Sequence, residues 1–187
     1  MKKPIYKKWW VWLIAALLII FVAAGISGNK KGDTKTTATE NKTNLTVDEY
    51  KQRLDKALKE MGDKTKLKVN SPQLLEDGRT SIALSDNIII FIDTDKDKQI
   101  KKASLGMTSN AYLTEQEDFK TAFTLLIGTV DDSLSFGDRN LVKQELGISD
   151  EKVFSKDHSK SYKKNGIMYT YKGSMKDNFI LQAELRK

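Results

Sequence analysis

The chain has no cysteine and one histidine among 187 residues. Without cysteine there is no disulfide framework, thiolate zinc site, iron–sulfur cluster or cysteine nucleophile. With His158 as the sole imidazole, a histidine-rich metal site or a relay of several histidines is excluded too. The phosphate-binding patterns G-x-G-x-x-G and G-x-x-x-x-G-K-[ST] are missing, as are H-E-x-x-H and G-x-S-x-G. The length suits one ordinary domain with an accessory segment and excludes a large multidomain enzyme. No cofactor is expected.

An excess of acidic residues is also lacking, and the net charge of +7 invites a nucleic-acid reading. Its distribution argues otherwise. Residues 1–44 hold eight of the 32 basic residues but two of the 25 acidic ones, leaving 24 against 23 in residues 45–187. A nucleic-acid binder needs a basic stripe on its folded part to neutralise phosphates. The excess is instead a membrane-topology signal, and no nucleic-acid partner is expected.

Trp9 to Ile26 is an 18-residue run with no charged or strongly polar side chain. As a helix it spans about 27 Å at 1.5 Å per residue, close to the roughly 30 Å hydrocarbon core. Trp9, Trp10 and Trp12 cluster at one end, where indoles favour the headgroup region, and Lys2, Lys3, Lys7 and Lys8 precede them. The reading is a basic cytoplasmic tail over 1–8, a transmembrane helix over 9–26 held by the bilayer, and export of everything after it. Ala23, Ala24 and Gly25 offer signal cleavage after Gly25 as the alternative. The length of the run and its tryptophan belt favour retention. A lipidated-cysteine anchor is impossible.

The opening KKPIYKKWWVW resembles the leaders of small single-pass surface proteins of low-GC Gram-positive bacteria. The resemblance covers roughly the first 28 residues. It implies a cell-membrane protein with its N-terminus in the cytoplasm and its C-terminal domain outside, and nothing about activity.

Residues 27–44 are mostly Thr, Lys, Asn and Gly with Ala38 as the only apolar side chain, too polar to offset chain entropy by burial. They read as a flexible linker with a root-mean-square span of about 23 Å. Residues 45–187 are long enough for a core. Thr46 and Glu49 read as a capping box, with Tyr50, Leu54, Ala57, Leu58 and Met61 at helical spacing and Gly62 as a stop. From Lys66 the period changes: Leu67 and Val69 alternate until Ser71-Pro72 breaks the run, and three strands follow at Arg79–Leu84, at the β-branched run Asn87–Asp93 and at Gln99–Met107. Thr114 and Glu117 read as a second capping box, opening a helix that bears Phe119, Phe123, Leu126, Ile127 and Val130. Ser135 opens another, with Leu141, Val142 and Leu146 inward and Gly147 after its end. Lys152–Ser155, Gly166–Gly173 and Asn178–Leu185 read as strands, the last two a hairpin through 173–177. The predicted class is α+β with antiparallel sheet, order α-β-β-β-α-α-β-β-β, reading also as two tandem α-β-β-β units.

Candidates for chemistry are few. Asp93, Asp95 and Asp97 alternate as in a calcium loop, but Lys98 stands where the sharp turn needs Gly and Ser104 where the closing Glu belongs. A solvated turn between strands is the competing reading. Ser161–Lys164 matches S-x-x-K and Ser85–Asn87 matches S-D-N, though in reversed order and without K-[ST]-G. His158 lies in the polar stretch SKDHSKSYKK, read as an exposed loop without a partner for general-base work. Asp131 and Asp132 read as a solvated helix end. Tyr162, Tyr169, Tyr171 and Phe179 read mainly as core, with some on an exposed binding face. The functional expectation is a non-enzymatic, membrane-anchored binding or accessory module of the bacterial cell envelope, its partner an envelope protein or wall polymer. The alternatives are an envelope hydrolase or transferase with an unfamiliar site, and phage superinfection exclusion.

Overall fold

The first helix starts where the sequence dictates. The structure, a computed structural model, describes residues 45–185, and in it helix α1 spans Val47–Met61 behind the Thr46 capping box. The Glu49 amide donates to Thr46 Oγ1 at 3.3 Å, and the Thr46 amide donates to Glu49 Oε2 at 2.8 Å. Two orphan amides are thereby satisfied reciprocally. Tyr50 and Leu54, one turn apart, are its buried residues.

Seven antiparallel strands follow in one sheet: β1 Gln73–Leu74, β2 Thr80–Ala83, β3 Ile88–Thr94, β4 Ile100–Met107, β5 His158–Lys164, β6 Ile167–Gly173 and β7 Phe179–Leu185. The strand order is β1-β2-β3-β4-β7-β6-β5. Each half of the chain thus contributes a meander, and the last strands of the two meet at the centre, with Ala103 opposite Ala183 and Leu105 opposite Leu181. Between the meanders lie α2 Ser109–Thr114, α3 Gln116–Val130 and α4 Phe136–Leu146. The fold is α+β.

The main core lies between the helices and one face of the sheet, and Ile89, Phe91 and Ile180 are buried on the other face. Ile88, Ile90 and Ile92 of β3, Leu105 and Met107 of β4, and Phe179, Leu181 and Ala183 of β7 alternate into the main core, as a two-residue period requires. Helix α3 buries Phe119, Ala122, Phe123, Leu125, Leu126 and Ile127, which cover most of its circumference, so it is the central helix of the layer. Phe119 has Phe179 at 4.9 Å, Phe154 at 5.0 Å and Phe123 at 5.1 Å, all close to edge-on. Each buried ring contributes up to about 3 kcal/mol.

Several local expectations are corrected. The alternation at Leu67 and Val69 does not make a ladder strand; Lys68 donates to Leu84 O at 3.0 Å and Asn70 to Ala83 O at 3.1 Å, beyond which β1 takes the β2 edge. Thr114 does not cap α3, because its hydroxyl donates to Asn110 O in the last turn of α2, whose own N-cap is Thr108. Leu141 lies 37% exposed on α4 rather than inward. Residues 152–155 belong to a 3-10 turn, not a strand; the Asp150 side chain caps it by accepting from the Lys152 amide at 3.0 Å, and Val153 and Phe154 are both buried. The polar stretch beginning at His158 is the strand β5. Ser135 and Gly147 behave as read: the Ser135 hydroxyl accepts from the Asp138 amide at 3.1 Å, and Gly147 ends α4 in the left-handed region at φ 75°.

Candidate functional site

The sequence candidates scatter across the fold. Asp93 pairs with Lys102 at 3.0 Å on β3–β4, while Asp95 Oδ1 accepts the amides of Asp97 at 2.9 Å and Gln99 at 3.0 Å, closing the turn before β4. Asp93, Asp95 and Asp97 are therefore not gathered, and among the described residues no three His, Asp or Glu side chains form a cluster for a metal ion. The S-D-N match is a clamp between the β2–β3 turn and the start of α3: Ser85 Oγ and Asn87 Nδ2 both donate to Glu115, and Thr108 Oγ1 donates to Asn87 Oδ1 at 3.0 Å. Ser161 and Lys164 of the S-x-x-K match lie three residues apart on a strand, so their side chains face opposite ways. Ser161 Oγ meets Thr170 Oγ1 at 2.9 Å, and Lys164 pairs with Asp138 at 2.7 Å.

Asp131 is buried rather than solvated, accepting from the Ser133 amide and hydroxyl and from Asn165 Nδ2 at 2.9 Å. Asp132 pairs with Arg53 at 3.2 Å. Tyr169, Tyr171 and Phe179 are core, and Tyr162 packs against the core half-buried. Burial pushes the Tyr169 and Tyr171 hydroxyls well above the usual tyrosine range, since a phenolate there would lose its hydration. Lys2, Lys3, Lys7, Lys8, Trp9, Trp10 and Trp12 lie outside the described residues, as do the 1–8, 9–26 and 27–44 segments and the site after Gly25. Among the described residues no helix is long and apolar enough to cross a membrane.

His158 is the half-buried first residue of β5, not a loop residue. Its Nε2 lies 2.8 Å from the Leu146 carbonyl oxygen and therefore carries the proton, and the ring centroid is 5.7 Å from Tyr171. Gly147 permits this approach, since a Cβ there would stand 2.9 Å from Nε2. Beside it, where β5 begins, β6 ends and β7 begins, a cavity of about 360 Å³ is lined by Asp157, His158, Ser159, Lys172, Asn178 and Ile180 among others.

The strand leading away from that cavity is an edge of the sheet. Asn165 and Gly166, with φ 49° and 81°, form the two-residue turn between β5 and β6, and Lys164 faces Ile167 across it. The pair closing such a turn is hydrogen-bonded, and the bonded pairs then alternate along the ladder. Lys164, Tyr162, Lys160 and His158 thus bond to β6, while Ser159, Ser161 and Lys163 direct their amides and carbonyls outward. Lys156, Lys160 and Lys163 are exposed along this edge and have no ion-pair partner among the described residues. The sequence reading missed the edge although Asn165-Gly166 was a hairpin signal; HSKSYKK carries no apolar alternation to point to a strand.

Comparison with protein families, with curated proteins and with solved structures found no match to this chain.

Proposed function

We propose that this chain is a single-pass, membrane-anchored binding or accessory module of the bacterial cell envelope, non-enzymatic, with residues 45–187 outside the cytoplasm. The anchor part of the reading rests on the apolar run 9–26 with its lysines and tryptophans, and on the leader resemblance. The observation that supports a binding role is the exposed, cationic β5 edge, where three residues have backbone donors and acceptors with no strand paired to them among the described residues. The two meanders joined at β4–β7 are also consistent with tandem units related by duplication. The test is protease added to intact protoplasts: digestion of the C-terminal part before lysis supports the reading, and survival until lysis overturns it.

A hydrolase or transferase is the second reading, favoured by the ionisable groups of Asp157, His158 and Lys172 around one cavity. It predicts that the full-length chain releases or transfers a product from isolated cell-wall material and that His158→Ala stops it. Unchanged wall material removes this reading.

A further inference from the structure

We infer that the β5 edge is a docking strand for an acidic, extended peptide segment of an envelope protein, added to the sheet beside Ser159, Ser161 and Lys163. The inference rests on the binding-module reading and specifies its partner.

Two edges end this sheet, and they are built differently. On the β1 side the strand has two residues, and the 68–70 segment occupies part of the β2 margin. The β5 side offers seven residues, all half-buried or exposed, with no other element paired to its outer margin among the described residues. A strand added there would place its side chains alternately beside Lys160, Tyr162 and Lys164 on the helix side and beside Ser159, Ser161 and Lys163 on the other.

Charge selects the occupant. Residues 156–164 carry Lys156, Lys160, Lys163 and Lys164 against Asp157 alone, and Asp138 holds only Lys164. A second copy pairing edge to edge would set these lysines against each other, which disfavours self-association. A carboxylate-bearing strand meets opposite charge at Lys160 and Lys163, which have no ion-pair partner among the described residues. A polyanionic wall polymer would satisfy the lysines but leave the outward amides and carbonyls unpaired, so the peptide fits more of the surface. The cavity at the start of β5 then accepts one large side chain from the docked strand, with Ile180 as its apolar wall and Asn178 and Ser159 as polar rim.

The experiment titrates full-length protein in lipid nanodiscs with a fluorescent ten-residue peptide of alternating Glu and Val. Three competitors are added in turn: the same peptide N-methylated on every backbone amide, so that neither of its edges can donate, a Lys-for-Glu peptide, and polyphosphate of equal charge. Saturable binding is expected, weakened about tenfold by the exposed pair Lys160→Glu with Lys163→Glu and abolished by N-methylation. Ser161→Pro, which removes an outward amide together with the hydroxyl contact to Thr170, should weaken it as much, whereas Ser161→Ala, which loses the hydroxyl alone, should bind as the native chain does. No binding means the lysines merely blunt the edge and overturns the inference. Equal binding of the N-methylated peptide or of polyphosphate also overturns it, because charge alone would then explain the contact. Any of these failures leaves the anchor and the exported orientation, which the protoplast experiment tests separately, standing.

Discussion

Strands β3 and β5 have the same length and belong to the same sheet, yet five residues of β3 are buried and none of β5. The β3 strand has a hydrogen-bonded neighbour on each side and reads IIIFIDT; β5 has one neighbour and reads HSKSYKK. Each ladder has seven paired positions, the β3–β4 one with a shift between Asp93 and Thr94, and the two are set by different means. Burial holds β3 from both faces, with Ile88, Ile90 and Ile92 in the helix-covered core and Ile89 and Phe91 buried on the opposite side. For β5 the two-residue turn at Asn165-Gly166 does the work. Strandness is thus a property of backbone pairing, and hydrophobicity reports only how much of the strand is covered.

The sharpest way to break this comparison is a matched truncation. Ile90→Ala, in the middle of β3, should lower unfolding free energy by about 2–5 kcal/mol. Lys160→Ala in β5 should stay within about 0.5 kcal/mol. Denaturant titration followed by circular dichroism measures both; equal losses would mean that β5 is not the solvated edge described here.

A smaller effect is expected at Gly173, where β6 ends. A Cβ there would stand 2.8 Å from Phe179 Cα and 3.0 Å from the Asn178 carbonyl, both backbone atoms that cannot rotate away. Gly173→Ala should cost about 1–3 kcal/mol. Gly128→Ala should cost less, because its 2.7 Å neighbour is the end of the flexible Arg139 side chain. Thermal unfolding of the two variants side by side tests the order.

The smallest effect concerns the ion pair joining α4 to the end of β5. Hydrogen bonds from Lys164 and Ser135 hold the Asp138 carboxyl below its ordinary value. A carboxyl with a folded pKa below its unfolded one contributes stability above the unfolded value, and that contribution disappears as pH falls through the folded one. The melting temperature of Asp138→Asn should therefore lie slightly below that of the native chain at pH 7, and the two should converge on acidification below about pH 4. A difference that persists at pH 2 would assign the role of Asp138 to packing instead of charge.

Legibility in the sequence followed the range of the interaction. The Thr46 capping box, the Ser135 cap and the Gly147 stop are contacts within a few residues, and all form. The pattern at Thr114 is just as local, but a short helix capped by Thr108 already uses that hydroxyl. The alternation of β4, β6 and β7 was readable because one face of each meets the core. The pairing of His158 with Leu146 was not, since a residue in a lysine-rich stretch gives no sign that a left-handed glycine will make room for its ring. Nor was the free edge, because alternation shows which face of a strand is buried and not which margin lacks a neighbour.

What the sequence settled alone is the class of the fold and the start and stop of α1 and α4, because alternation and capping act over one or two turns of chain. Only the tertiary structure decided that β4 and β7 meet at the centre and that β5 ends the sheet. Those pairings join residues far apart in the chain, and their energy resides in contacts that no local stretch contains.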